Sequence, residues 1–269
     1  NILLAGVVFM AESVKILNPH KTVLVPDMGA SCSLVEGAPY EDYLNWRRKY
    51  PDALCVTYIN SSTLVKSISD VIITSSNAAE IISSIPQSRR ILFGPDQHLG
   101  KWLSKQLNRE MIFWPGACQV HVLFNADRLK NLIKENPDAL VIAHPECDDE
   151  ILKYASVIGS TSKLLKEVTE NKDYKKFIIA TETGILHQMQ KHRPDSILIQ
   201  APVVDENCMC NDCPFMKMNS LEKIHNAMIT FKPEIQIDES LRLKAFDSLD
   251  RMMKITSKQP VLWPDSLKG

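Results

Sequence analysis

The chain has 269 residues, of which 45% are hydrophobic, and its formal net charge at pH 7 is -1. This length suits one compact unit or two or three small subdomains. The near-neutral charge without a basic run argues against nucleic acid or a membrane surface as a partner, and no apolar stretch approaches the roughly 20 residues that cross a bilayer. Cysteines without a recognisable signal peptide indicate intracellular thiols for metal binding or catalysis rather than disulfides.

Short apolar runs alternate with helix-like segments along the chain. Runs of strand length begin at residues 22, 54, 70, 90, 111, 140, 177 and 196. Segments with helical spacing, such as "GKWLSKQLN" and "TSKLLKEVTEN", lie between them. Continuous apolar strands that alternate with helices predict an α/β fold, with parallel sheets covered on both faces.

An internal repeat relates two parts of the chain. A shift of 86 residues places "PDAL" at 51 on "PDAL" at 137, and "ILFGPDQHL" at 91 on "FIIATETGI" at 177. The same shift pairs polar residues that follow strands: Cys32 with Cys118, Tyr58 with His144, Asn60 with Glu146, and Ser75 with Thr161. A repeat of this length predicts subdomains of similar architecture. Coincidence between two ordinary α/β units is the alternative interpretation.

The repeat predicts three similar three-layer α/β/α subdomains in a pseudo-threefold arrangement, each with a short parallel sheet. We expect the two complete copies at residues 21–105 and 106–189. Residues 1–20 together with 190–269 would form the third, because "ILLAGVVFMAE" resembles the last strand and helix of a copy. No later strand matches "LCVTYIN". We therefore expect a segment before residue 1 to complete this subdomain, and a chain that starts at Asn1 to be inactive alone.

Each copy of the repeat carries a cysteine in a loop after a strand: Cys32 in "PDMGASCS", Cys118 in "WPGACQ", and one of three in "ENCMCNDCPF". Such loops lie at the carboxyl edge of α/β sheets, where ligands bind. Three thiolates suit either zinc with a fourth ligand or an iron–sulfur cluster. Structural zinc usually takes four protein ligands, so the sequence favours a [4Fe–4S] cluster whose open iron could act as a Lewis acid.

A local metal site is the alternative to a shared cluster. Cys208, Cys210 and Cys213 form a CxCxxC motif, which on its own is compatible with zinc or redox chemistry. Besides an enzyme with a cluster, two other functions are compatible with these residues: a non-catalytic zinc- or cluster-binding scaffold, and a sugar-binding α/β module with incidental cysteines. Cys55 lies in an apolar strand and Cys147 has no repeat partner, so we interpret both as structural thiols.

The chain resembles quinolinate synthase along nearly its whole length. The resemblance is carried in order by "GVVFMAESVKILNP", "TYINSS", "TSSNA", "LFGPDQHLG", "WPGACQVH", "VIAHPEC", "GSTS", "ATETGILHQM" and "CPFMKMNSLEKI". It implies three stacked α/β subdomains around a [4Fe–4S] cluster that three cysteines hold. On this resemblance the ligands are Cys32, Cys118 and Cys213, with Cys208 or Cys210 as alternatives for the third.

The resemblance also implies a reaction and its partners. Enzymes of this family condense iminoaspartate with dihydroxyacetone phosphate to make quinolinate, a precursor of NAD. L-aspartate oxidase, which supplies iminoaspartate, is the implied partner enzyme, and the implied location is the cytoplasm, or a plastid if a preceding segment carries a transit peptide. The chain departs from the family at Val8, where a polar residue is usual, and by lacking the family's N-terminal strand.

Polar residues at the ends of two repeat-related strands are predicted to contact the substrates. Tyr58 and Asn60 end one strand, His144 and Glu146 end its partner, and His121 in "CQVH" follows a predicted cluster ligand. Glu146 is the expected general acid and base, because ring formation needs several proton transfers. We expect His144 to polarise or hydrogen-bond a substrate oxygen, and Tyr58 to complete the catalytic set.

Two turns rich in hydroxyl groups are predicted to bind the anionic parts of the substrates. "TSSNAAEIISSI" and "GSTSKLLKEV" place Ser75, Ser160 and Thr161 between a strand and a helix. Hydroxyl and N–H groups at a helix start can bind phosphate or carboxylate, and simple helix capping is the alternative. His98 and His187 are interpreted as structural.

Overall fold

The computed structural model describes residues 1–204 and 211–264. The strands are β1 (Ile2–Leu3), β2 (Val23–Leu24), β3 (Leu54–Tyr58), β4 (Val71–Ile73), β5 (Ile91–Gly94), β6 (Ile112–Phe113), β7 (Ala139–Ala143), β8 (Val157–Ile158), β9 (Lys176–Ala180) and β10 (Ile197–Gln200). The α-helices are α1 (Val8–Leu17), α2 (Ser33–Glu36), α3 (Tyr40–Arg48), α4 (Thr63–Ser67), α5 (Ala78–Ser84), α6 (Gln97–Leu107), α7 (Ala126–Glu135), α8 (Asp149–Leu152), α9 (Thr161–Glu170), α10 (Gly184–His192), α11 (Pro214–Lys217), α12 (Leu221–Thr230) and α13 (Glu239–Thr256). Within the described ranges, no helix has both the length and the apolar character needed to span a membrane.

The chain divides into two compact units. The first unit comprises Asn1–Gly116 and Pro214–Gly269, and the second comprises Ala117–Cys213. The first contains a four-stranded sheet in the order β4-β3-β5-β6 and a two-stranded sheet of β1 and β2. The second contains a four-stranded sheet in the order β10-β9-β7-β8. All of these strand pairs are parallel, which confirms the predicted α/β class.

The two four-stranded sheets repeat one another in strand order and nearly in register. The strand pairings Val56↔Val71 and Leu54↔Ile91 of the first unit become Ile142↔Val157 and Leu140↔Phe177 of the second after the shift of 86 residues. Only the last strand departs, because Leu92 pairs with Ile112 whereas Ile178 pairs with Ile199, one residue further along than the shift requires. The internal repeat is therefore a repeat of structure as well as of sequence.

The predicted limits of the three subdomains stay a prediction, but strand pairing favours limits that lie one strand later. β2 pairs with β1, β6 pairs with β5, and β10 pairs with β9. Each of these strands follows one of the predicted limits at residues 20, 105 and 189. The pairings therefore assign each of them to the sheet that precedes that limit.

Apolar strands form the core of each sheet. Every residue of β3 is buried, as expected for a parallel sheet covered by helices on both faces. In the first unit, Ile16 of α1, Ile72 of β4 and Leu249 of α13 pack in one buried cluster. In the second, Phe177 of β9 and Leu164 of α9 belong to another. These clusters fix the sheets whose carboxyl ends carry the predicted site residues.

Candidate active site

Four of the candidate site residues lie at the ends of β3 and β7: Tyr58 is the last residue of β3, and Asn60, His144 and Glu146 lie in the short loops that follow the two strands. β3 ends at Tyr58, and its loop runs to Ser62, whose side chain accepts a hydrogen bond from the Val65 N–H at the start of α4. β7 ends one residue before His144, and its loop runs to Asp148, whose side chain accepts a hydrogen bond from the Glu150 N–H at the start of α8. Capping residues at equivalent repeat positions therefore fix where each loop ends.

Cys118, His121 and Glu146 come together in the second unit. One ligand atom from each lies within 4.8 Å of the others. The Nδ1 atom of His121 is 3.0 Å from Oε2 of Glu146, and both side chains are buried. The backbone N–H of His121 donates to the Cys118 carbonyl, at 3.1 Å. Three residues that the sequence predicted for the site are thus brought together.

His144 adds a second imidazole to this group. Its ring stacks on that of His121, with ring centroids 4.8 Å apart, and its Nδ1 atom is 3.8 Å from Oε1 of Glu146. The backbone N–H of Glu146 donates to the same Nδ1 at 3.4 Å. Because a backbone N–H can only donate, Nδ1 is the acceptor, and a neutral His144 ring carries its proton on Nε2.

Burial decides the charge of His144. Only 3% of the residue is exposed, and desolvation lowers its pKa to about 4, with Glu146 opposing the shift and His121 adding to it. The imidazole is therefore neutral at pH 7. A neutral ring with its proton on Nε2 can donate a hydrogen bond to an oxygen without bringing a positive charge into the site.

Thr181 was not predicted from the sequence, although it contacts His121. Its Oγ1 atom lies 3.1 Å from Nε2 of His121, and the residue is buried. Thr181 directly follows β9, so the rule that strand ends carry site residues would have found it. The other ring nitrogen of His121, Nδ1, has no aligned hydrogen-bond partner within the described ranges despite its approach to Glu146.

The loop that carries Cys213 is held to the second unit by polar contacts. The Cys213 N–H donates to Oε1 of Glu182 at 3.2 Å. Asn211 donates through its backbone to Thr183 Oγ1 at 3.0 Å and through its side chain to the Val120 carbonyl at 2.7 Å. Sequence reasoning missed Asn211, whose role emerges only from contacts distant in sequence. Cys208 and Cys210 lie outside the described residues.

Cys32 and Asn60 come together in the first unit. Cys32 is half-buried at the start of α2, and the amide nitrogen of Asn60 is 3.9 Å from its sulfur. This pair corresponds by the repeat to Cys118 and Glu146 in the second unit. The structure thus places the polar residue of the strand-end loop beside the cysteine in both copies.

The remaining predicted substrate residues are in different environments. Tyr58 is buried at the end of β3, Ser75 is half-buried before α5, and Thr161 is exposed at the first turn of α9. Ser160 accepts a hydrogen bond from the Lys163 N–H at 3.4 Å, so its side chain caps α9. Capping is therefore observed at Ser160, and anion binding at the three hydroxyl residues stays a prediction.

Lys66 is a second residue that sequence reasoning missed. It lies on α4, is fully buried, and donates from Nζ to the backbone carbonyls of Ile59, at 3.0 Å, and Ser61. Burial lowers its pKa to about 8, with Glu12 and Cys32 opposing the shift. A lysine in an amphipathic helix is normally solvated, and no sequence pattern distinguished this one.

The cysteines and their surroundings fit an iron–sulfur centre. Cys32, Cys118 and Cys213 are half-buried, as suits sulfur atoms that are shielded from solvent yet accessible to a ligand, and thiolates are the usual ligands of such clusters. The Nδ1 atom of His121 lies beside Cys118 and has no well-aligned hydrogen-bond partner among the described residues. It is a buried polar atom that could contact a ligand in the site. Cys55 and Cys147 are both completely buried, as expected of structural thiols.

Comparison with known proteins agrees with this arrangement. The profile of the family described as "Quinolinate synthetase A protein" matches residues 1–254. The quinolinate synthase of Prochlorococcus marinus (strain MIT 9303) is 47% identical over 258 residues, which cover 96% of this chain and 77% of the relative. That of Nostoc punctiforme is 47% identical over 255 residues, covering 95% and 78%, and that of Chloroherpeton thalassium is 44% identical over 255 residues, covering 95% and 79%. Quinolinate synthases are enzymes of NAD biosynthesis, and this chain belongs to their family.

Proposed function

We propose that the protein to which this chain belongs condenses iminoaspartate with dihydroxyacetone phosphate to form quinolinate, and that Cys32, Cys118 and Cys213 hold a [4Fe–4S] cluster. The observation that carries the proposal is the buried group of His121, His144 and Glu146 beside Cys118. Family membership supports the product, and the chemistry of the donor atoms supports the cluster. When bound, a cluster with three cysteine ligands would supply an open iron that acts as a Lewis acid.

Glu146 is the proposed general acid and base. Making quinolinate from these substrates joins their carbon skeletons and eliminates water and phosphate, so protons must leave carbon and reach departing oxygens. A buried carboxylate can take up and return such protons when the substrate lies within hydrogen-bond distance. The contacts of Glu146 with two imidazoles keep its oxygens at one place in the loop after β7.

His144 is proposed to orient a substrate oxygen. Its Nδ1 atom accepts the Glu146 N–H, which leaves Nε2–H to donate. His121 would help to orient the substrate through Nδ1, the ring nitrogen that faces Glu146, since Nε2 faces Thr181. Because burial keeps the pKa of His144 near 4, this donor stays neutral and does not compete with iron for the negative charge of the substrate.

Tyr58, Asn60 and the hydroxyl turns are proposed to bind the rest of the substrates. Both substrates are anions, one a dicarboxylate and the other a phosphate ester. The first turn of α9, with Ser160 and Thr161, offers N–H groups and a helix dipole to such anions. Ser75 would act likewise before α5, and Tyr58 and Asn60 would donate from the end of β3.

Supply of iminoaspartate is the proposed reason for a partner enzyme. An imine hydrolyses in water, so a route from L-aspartate oxidase would shorten its exposure to solvent. Both reactions would then take place in the cytoplasm. Co-purification of the two enzymes, and capture of quinolinate when they are mixed, would test this part of the proposal.

Iron and zinc quantification tests the ligand set directly. The chain is purified without oxygen, and its metal content and absorption spectrum are compared with those of Cys32→Ala, Cys118→Ala and Cys213→Ala, with formation of quinolinate assayed alongside. We expect iron and sulfide in the unmodified chain and the loss of both in each variant. If the unmodified chain instead contains zinc, and only Cys213→Ala releases it, the metal is held by a local CxCxxC loop and the shared cluster is excluded.

A further inference from the structure

Lys66 is a buried cation that the proposed reaction does not use. It lies on α4 of the first unit with 0% of the residue exposed. Burying an ammonium group is costly unless it is paired and hydrogen-bonded. Its contacts therefore indicate what the cation does for this part of the molecule.

The contacts of Lys66 hold the turn that contains Asn60. The Nζ atom donates to the carbonyls of Ile59, at 3.0 Å, and of Ser61, the two residues that flank Asn60. The same turn is closed by the Ser61 N–H, which donates to the Ile59 carbonyl at 2.8 Å. Lys66 thus bridges both sides of the residue whose side chain faces a cysteine.

The remaining neighbours anchor the lysine itself. Its ammonium group lies 5.5 Å from the centroid of the Phe9 ring, and its backbone carbonyl accepts from Oγ of Ser248 at 3.0 Å. Glu12 is the nearby acid that favours the charged form of Lys66, and Glu12 also accepts the Thr63 N–H at 3.1 Å. The ammonium group therefore interacts with α1, while α13 contacts the backbone of Lys66.

The second copy of the repeat shows that the fold does not need this cation. The shift of 86 residues places Leu152 of α8 at the position of Lys66, and Leu152 is 7% exposed. The two loops end in helices capped at equivalent positions by Ser62 and Asp148. The copy whose strand is followed by Glu146 has a leucine at this helix position. The copy whose strand is followed by Asn60 has a lysine there.

We propose that Lys66 is a positioning residue, whose buried ammonium group fixes the turn of residues 59–61 so that the Asn60 amide faces Cys32. The Asn60 Nδ2 atom lies 3.9 Å from the Cys32 sulfur, a distance that a small movement of the turn would destroy. Fixing the turn is independent of the metal. The consequence for the metal, a better-retained ligand at Cys32, rests on the proposed function.

Hydrogen exchange on the metal-free chain tests the first part. Lys66→Leu introduces the residue that the other copy uses, and Lys66→Met is a second neutral variant. We expect amide exchange at residues 59–61 to become at least about tenfold faster, because each variant removes two hydrogen bonds from a charged donor and the loss of one already corresponds to about that factor. The amides of Glu146 and Cys147, in the equivalent loop of the second copy, serve as the internal control. Unchanged exchange at residues 59–61 in a folded variant would overturn the proposal.

Iron release to a chelator tests the second part and separates a positioning role from a purely structural one. Asn60→Ala, Lys66→Leu and the double variant are compared, with Lys66→Arg as the conservative substitution that keeps the charge. We expect both single changes to speed release by a similar factor, the double change to add little, and Lys66→Arg to restore slow release.

The two parts of the test fail in different ways. If the rate of iron release from the double variant rises by the product of the factors for Asn60→Ala and Lys66→Leu, the lysine does not act through Asn60. That result would overturn the proposal. Absence of iron from the unmodified chain would overturn the proposed function, while the exchange result on the turn would still decide the role of Lys66.

Discussion

The carboxylate of Glu146 contacts two histidine rings, yet the ring of His144 stays neutral. Its Oε2 atom lies 3.0 Å from His121 and its Oε1 atom 3.8 Å from His144. The carboxylate favours the protonated form of His144, but desolvation outweighs it and the ring stays neutral at pH 7. The site therefore combines a proton carrier with a neutral hydrogen-bond donor, the combination that a reaction with several proton transfers uses.

Glu146→Gln should remove catalysis without removing the metal. The amide keeps the shape of the side chain but cannot carry a proton, so we expect quinolinate formation to fall about 100- to 10,000-fold, the usual contribution of a general acid or base. Iron content should equal that of the unmodified chain. Glu150→Gln, at an exposed position on α8, is the matched control and should keep full activity. Retention of normal turnover by Glu146→Gln would exclude the assigned role.

His144 should make the metal-free chain less stable in acid. Its pKa is about 4 when folded against an ordinary value of 6.5, so the unfolded chain binds the extra proton first as the pH falls. The free energy of unfolding should then decrease from about pH 6.5 to pH 4, by up to about 1.4 kcal/mol per pH unit from this residue. Urea unfolding at several pH values measures the slope.

His144→Gln should flatten that slope because glutamine does not titrate. His187→Gln, on the exposed side of α10, should leave it unchanged. If the free energy of unfolding falls equally steeply with decreasing pH in the two variants, His144 is not the group responsible.

Sequence reasoning found site residues at strand ends where the repeat supplied a partner. It missed Thr181, although this residue directly follows β9. It also missed Asn211 and Lys66, because their roles depend on side-chain contacts made after folding. Thr181 is recognised by its contact with His121, and Asn211 by a contact with Val120. A lysine on a helix is normally expected to be solvated, and only the burial of Lys66 in the structure points to its hydrogen bonds with the turn.

At the scale of elements, the repeat was the most informative part of the sequence. Apolar runs predicted eight of the ten strands in the described residues but not β8, and β1 was inferred from its resemblance to the last strand of a copy. The shift of 86 residues predicted that β3 and β7 would occupy equivalent positions, as the matching registers confirm. The pairing of β6 with β5 and of β10 with β9 was not predicted, since a short strand at a limit can join either neighbouring sheet. Hydrophobic pattern gives strand identity but not strand partners.

The helix α13 stabilises the first unit from a distant part of the sequence. α13 is rich in charged residues, yet Leu249 is fully buried against Ile16 and Ile72. Leu249→Ala should lower the free energy of unfolding by about 2–5 kcal/mol, through lost burial and the cavity left behind. Leu243→Ala, at a position 51% exposed on the same helix, should change it by less than about 0.5 kcal/mol. Equal effects in urea unfolding would contradict the assigned packing.

For the whole molecule, the proposed ligand set has a thermodynamic consequence, because Cys32 belongs to the first unit whereas Cys118 and Cys213 belong to the second. A ligand that binds only the folded chain stabilises it in proportion to its affinity. One cluster shared by the three cysteines would therefore raise the resistance of both units to unfolding together. Metal bound within a single unit would protect that unit alone.

Cys32→Ala should thus weaken the second unit as well as the first. With the cluster loaded, limited proteolysis followed by mass spectrometry should show fast cleavage in both units of the variant and slow cleavage in both units of the unmodified chain. In the metal-free state the same substitution should leave cleavage of the second unit unchanged, which separates the effect of the cluster from that of the side chain. Protection of the second unit that persists in loaded Cys32→Ala would mean that the metal is held without Cys32, and the local site around Cys213 would become the better assignment.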